Sequence, residues 1–164
     1  MKSNKGFTLI ELLAVIVVLA VIALIATPIV LNLINDAKTG ANVQTAEAYI
    51  KASETAAMTN MVKYTDFVLC NTYTVSGTTL TPTSDATAID GTSTCTTSGE
   101  HSTLTVDVSG DTPSATDEGT TESPKYATIT FSSTGAVSSV DNMSVKGTKV
   151  KYSTTKGAEE DTTK

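Results

Sequence analysis

Residues 5–11 read Lys5-Gly6-Phe7-Thr8-Leu9-Ile10-Glu11, and Leu12 to Ala26 follow as fifteen apolar residues without a break. The apolar segment extends from Phe7 to about Ile34, interrupted by Thr8, Glu11, Thr27, Pro28 and Asn32. Roughly 20 residues at about 1.5 Å each cross a bilayer, so the segment is long enough. An acid at the mouth of such a segment is costly near hydrocarbon unless something meets it, which marks Glu11 as functional. Lys2 and Lys5 are the only charges ahead of Phe7. The positive-inside rule keeps that end cytoplasmic and points the C-terminal bulk outward.

An ordinary secretory signal peptide shares the basic start and the apolar core, but it needs a small-residue cleavage site behind the core. Ala23-Leu24-Ile25-Ala26 is a poor substitute for Ala-x-Ala. A Glu at the start of the core is also unexpected in a segment that only inserts. A plain membrane anchor for a sensor or an enzyme is the other alternative.

The run Gly6-Phe7-Thr8-Leu9-Ile10-Glu11-Leu12, after a short basic leader and before a long apolar helix, resembles the class III signal of type IV pilins and pseudopilins. The spacing of Pro28 from the cleavage point resembles that family too. The resemblance covers residues 1 to about 60 and is most specific over roughly the first half of that stretch. It implies that Gly6 is the last leader residue, recognised by a prepilin peptidase. Phe7 would become the mature N-terminus, N-methylated by the same enzyme. Glu11 would neutralise the Phe7 amine of a neighbouring subunit during assembly. Elementary chemistry agrees: glycine at the cut lets a protease approach the backbone closely. An ammonium–carboxylate pair in a low dielectric favours one register strongly, although both ions are desolvated. Glu11 is therefore a register device more than a stabiliser. Removal of Lys2 and Lys5 would move the net charge from −6 to −8.

From Asn35 to about Tyr64 the pattern stays helical and becomes amphipathic. Val43, Ala46, Ile50, Ala57, Met61 and Tyr64 recur at spacings near three and four, with one skipped turn at Ser53/Glu54. Met61 and Tyr64 read as core. Glu47 and Lys51 form an i, i+4 pair in the favourable orientation. Pro28 is expected to kink the helix, either as a simple bend or as a segment that unwinds on packing, and Gly40 is a second weak point.

Beyond Cys70 the composition turns to Thr, Ser and Gly. Lys125–Phe131, Val137–Met143 and Thr148–Tyr152 are expected to form a three-stranded antiparallel meander, with weaker strands at Tyr73–Val75 and Leu104–Val108. Thr78–Thr97 and Asp111–Glu122 read as loops. The fold class is α+β: a long N-terminal helix, membrane-spanning and then amphipathic, packed on a small antiparallel β-sheet head. The expected division is a leader 1–6, a transmembrane or filament-core helix 7–34, a head 35–157 that includes the amphipathic helix 35–64, and a disordered tail 158–164.

The acidic net charge argues against nucleic-acid binding by the whole surface. A local basic patch at Lys146, Lys149 and Lys151 keeps DNA or an anionic surface as an alternative to a charged, solvent-facing strand edge. All eleven basic residues are Lys, which with the abundant Thr suggests a low-GC Gram-positive source. Cys70 and Cys95 are the only cysteines; their spacing fits no redox or metal motif, and outside a membrane a disulfide is the natural reading. His101, the only histidine, lies in a polar stretch with Asp107 nearby, without a recognisable catalytic frame. No zinc spacing or phosphate-binding loop occurs, and the acidic stretch 111–122 matches no calcium signature. Asn142-Met143-Ser144 has only the form of a glycosylation sequon.

The expectation is a structural subunit of a type IV pilus: no enzyme, no cofactor, no metal. Its partners would be prepilin peptidase, copies of itself in a helical homo-polymer, the pilus assembly ATPase with its platform, and the membrane before assembly. The precursor would be single-pass with a cytoplasmic N-terminus, and the mature protein an extracellular filament linked to adhesion or motility. A minor pilin, or a pseudopilin of a DNA-uptake or type II secretion-like system, is the same-class alternative. A non-polymerising membrane-anchored adhesin or sensor is the alternative of another class.

Overall fold

A computed structural model describes residues 8–91, 95, 101–108, 111–115 and 127–162. The chain divides into two compact units, Met1–Lys38 and Thr39–Lys164, described separately here. One helix, α1 (Leu9–Lys63), contributes to both, and antiparallel sheets follow it, an α+β layout.

In the first unit the helix is apolar over most of its length up to Ile34. Val, Ile and Leu dominate, and an unbroken helix satisfies the backbone groups along the run from within the segment, the condition hydrocarbon imposes, save the one carbonyl that would face the proline. Pro28 lies inside the continuous helix. It brings no N–H to the ladder. One turn back, the Thr27 hydroxyl donates to the Ala23 carbonyl at 2.7 Å.

In the second unit α1 buries Ala46, Tyr49, Ile50, Ser53 and Ala57. Ser53 occupies the turn where the apolar stripe skips. It is fully buried, and its hydroxyl is satisfied by donating to the Tyr49 carbonyl at 2.8 Å. The buried stripe ends at Ala57: Met61, read as core, is 48% exposed.

Among the described residues nine strands follow. β1 (Thr72–Ser76), β2 (Thr79–Pro82), β3 (Leu104–Thr105), β5 (Thr128–Phe131) and β6 (Val137–Asp141) form a five-stranded sheet in the order β3-β2-β1-β5-β6. β4 (Ser114–Ala115), β7 (Met143–Val145), β8 (Thr148–Ser153) and β9 (Gly157–Glu160) form a second sheet in the order β4-β7-β8-β9. Period-two alternation turns Tyr73 and Val75 of β1 and Ile129 and Phe131 of β5 inward. Tyr73 meets Phe131 edge-on, with ring centres 5.5 Å apart.

Several expectations are corrected. Val137–Met143 is not one strand: Asn142 takes φ 54, a left-handed conformation that Asn tolerates, and the chain passes there from one sheet to the other. The expected meander is therefore divided between two sheets. The Thr78–Thr97 loop contains β2, and the 111–122 stretch contains β4 up to the limit of the described residues. Leu104–Val108 is a strand only at Leu104–Thr105. Residues 158–160, expected in a disordered tail, pair with β8, with Lys151 opposite Glu159. The charges that make this segment look solvated are matched by the lysine strand beside it.

The sulfurs of Cys70 and Cys95 are bonded, with the Cα atoms 5.6 Å apart. Cys70 is buried, and its N–H donates to the Tyr73 hydroxyl at 3.1 Å. The Tyr49 hydroxyl donates to the Gly77 carbonyl at 2.8 Å. Burial pushes the phenols of Tyr49 and Tyr73 up to about 12 each. Gly77, at φ 60, makes the two-residue turn between β1 and β2 that side-chain-bearing residues rarely enter.

Candidate functional site

Gly6 and Phe7 lie outside the described residues. The description begins at Thr8, and the first turn of α1 is built around it. The Thr8 N–H donates to Glu11 Oε2 at 2.9 Å, and the Thr8 hydroxyl donates to the same oxygen at 2.8 Å. The Glu11 N–H in turn approaches Thr8 Oγ1 at 3.4 Å, and the Leu12 N–H the Thr8 carbonyl at 3.3 Å. This is a capping box, in which the residue before the helix and the acid three positions on satisfy each other's free groups. The signature Thr-x-x-Glu is legible in the sequence, and it gives Glu11 a partner at the start of its own helix besides the one expected in a neighbouring subunit.

Around and behind Glu11, eighteen large apolar side chains from Leu9 to Ile34 are exposed, Leu9 at 84% and Leu24 at 78%. Water is the wrong solvent for such a surface. At about 1.5–3 kcal/mol per side chain, leaving it hydrated costs tens of kcal/mol. The helix is long and apolar enough to cross a membrane.

Residues 1–27 match the family model described as the prokaryotic N-terminal methylation motif. It is the class III signal peptide of type IV pilins. The motif and the apolar helix behind it support a type IV pilin-like precursor, consistent with membrane anchoring. No curated protein and no solved structure matches the chain.

The remaining candidate residues fall in other places. His101 does not meet Asp107 in a catalytic arrangement. Its ring stacks on Tyr64 with centres 3.8 Å apart, and its Nδ1 lies 3.5 Å from Asp66 Oδ2. Lys63 Nζ sits 5.0 Å from the centre of the Tyr64 ring. Among the lysines considered for an anionic partner, Lys146 pairs with Asp111 at 2.7 Å and Lys151 stands opposite Glu159. Lys156 also reaches Glu159, at 3.6 Å. Carboxylates thus interleave that basic stretch. Ser144 of the sequon is buried in β7, within hydrogen-bond distance of Ser114 at 3.2 Å. Among the described residues no group of three or more His, Cys, Asp and Glu is placed to hold a metal ion.

The second unit carries a contact that pattern reading did not find. Glu54 Oε1 accepts the Val137 N–H at 2.7 Å, fastening α1 to β6. Nearby, Glu47 meets Lys51 at 2.8 Å, and that hydrogen bond and charge push the ammonium's pKa up.

Proposed function

We propose that this chain is the precursor of a structural type IV pilus subunit, cut between Gly6 and Phe7 and polymerised through its N-terminal helix. The observation that carries the reading is the methylation motif over residues 1–27, joined to an apolar helix that opens on Glu11. Prepilin peptidase removes the leader and methylates the new Phe7 amine. Until assembly the helix stays in the cytoplasmic membrane, with its N-terminus toward the cytoplasm. In the filament, helices of neighbouring subunits replace the lipid, and the heads face outward. Extraction exchanges one apolar surrounding for another, so it needs the assembly ATPase and platform rather than a net hydrophobic gain. The Glu11 carboxylate meets the neighbour's Phe7 ammonium and sets the stagger between subunits.

The test is intact mass and N-terminal sequencing of the protein in sheared surface material, for wild type and Glu11→Ala. Wild type is expected as an abundant chain beginning at N-methylated Phe7. Glu11→Ala is expected to be cleaved but retained in membranes. Wild-type chain found only in membranes, uncut, would move the reading to an anchored adhesin or sensor. Cut chain in trace amounts beside another shaft protein would move it to a minor pilin or pseudopilin.

A further inference from the structure

The reading above gives Glu11 a partner in a neighbouring subunit; the structure also gives it one in its own chain. Both donors of Thr8, the backbone N–H and the hydroxyl, end on the same carboxylate oxygen, Oε2, at 2.9 and 2.8 Å. Among the described residues none bonds to Oε1. An ionised carboxylate offers about four acceptor positions on its two oxygens, so capping its own helix leaves room for a second, charged donor. A glutamate side chain at an exposed helix start otherwise samples many rotamers, and that freedom must be lost when a partner is bound. Two hydrogen bonds to one oxygen remove it in advance.

We propose that Thr8 is a positioning residue for assembly: it holds Glu11 Oε2 at the first turn of α1 and presents Oε1 to the ammonium of an incoming subunit. This rests on the pilus-subunit reading. The cut between Gly6 and Phe7 preserves the device, because Phe7 keeps its carbonyl and the nitrogen of Thr8 stays an amide donor. A cut one residue later would turn that nitrogen into the ammonium itself.

The experiment compares Thr8→Val, Thr8→Ser and Thr8→Asp with wild type and Glu11→Ala in the full chain. Filament protein in sheared surface material is measured per cleaved subunit, with cleavage read by intact mass. Thr8→Val keeps the side-chain shape but loses the hydroxyl, and the filament yield is expected to fall about fivefold, the shift that goes with loss of one side-chain cap. Thr8→Ser restores the hydroxyl and is expected to stay within about twofold of wild type. Thr8→Asp separates positioning from plain helix capping. Aspartate caps helix N-termini as well as threonine does, but an ionised carboxylate donates nothing and repels Glu11. Its yield is expected to fall with that of Thr8→Val. Wild-type yield from Thr8→Val, equal yields from Thr8→Asp and Thr8→Ser, or a loss in Thr8→Ser as deep as in Thr8→Val would each overturn the proposal. If Glu11→Ala fails to assemble while Thr8→Val assembles normally, only the role of Thr8 falls. If Glu11→Ala also assembles normally, the role given to Glu11 falls first.

Discussion

Replacing Glu54 by alanine tests how the helix is held to the first sheet. The register between β5 and β6 shifts at Thr130/Phe131, and Phe131 pairs with Val137 just beyond it. At that irregular point the Val137 N–H is taken by Glu54 Oε1, 2.7 Å away, from a helix 83 residues earlier in the chain. Val137 is only 1% exposed, so water does not readily replace the lost acceptor. A hydrogen bond to a charged group contributes about 1.5–3 kcal/mol, and a buried donor left unpaired costs a similar amount. For a unit of this size about 2 kcal/mol corresponds to a fall in Tm of about 8 °C. Glu54→Gln keeps a neutral acceptor oxygen and is expected to lose about half as much. The assay is thermal unfolding of the detergent-solubilised full chain, followed by near-ultraviolet circular dichroism of its tyrosines. A Glu54→Ala midpoint within about 2 °C of wild type would refute the argument that this bond fastens helix to sheet.

Two further predictions concern the head. Tyr49 and Tyr73, held up to about 12, are expected to ionise well above the ordinary tyrosine range in an absorbance titration of phenolate. Their folded-state pKa lies above the unfolded value of about 10, so the stability they contribute is complete below pH 10 and is lost as pH rises from 10 toward 12. Ionisation of Tyr49 and Tyr73 near the ordinary value would contradict their burial. Reducing the Cys70–Cys95 bond, which spans 25 positions, is expected to lower unfolding stability by about 3.5 kcal/mol in the loop-closure account. Denaturation midpoints with and without a thiol reductant measure it, and an unchanged midpoint would sink the expectation.

How far the sequence reaches depends on where the folding information is local. The apolar helix is written in Leu12 to Ala26 without interruption, and Ala46, Ile50 and Ala57 of the amphipathic stripe are indeed buried. The stripe also needed Tyr49 and Ser53, a buried hydroxyl that no hydropathy pattern selects and that is satisfied only inside its own helix turn. The strands at 128–131 and 148–153 alternate β-branched or aromatic residues and were legible. β2, Thr79–Pro82, ends on a proline and is rich in threonine, so it reads as loop. It becomes a strand because β1 and β3 flank it. β9 carries Gly157, Ala158, Glu159 and Glu160, a composition with low strand preference that pairing with Lys151 overrides. At the N-terminus the family motif and Glu11 are readable, and the bond from Thr8 is written beside them as Thr-x-x-Glu, a signature that an assembly role for Glu11 overshadows.

The placement of the disulfide bears on the order in which the head is made. β1 pairs with β5 at Thr74 and Thr128, positions about 54 residues apart along the backbone. Through the Cys70–Cys95 bond the path between them shortens to about 37. Loop-closure entropy grows only with the logarithm of length, so the shortcut lowers the cost of bringing β1 to β5 by about 0.3 kcal/mol, less than a twofold change in rate. The two strands can therefore find each other at nearly the same speed whether or not the cysteines have been oxidised. The bridge thus acts as a lock against unfolding more than as a guide to this pairing.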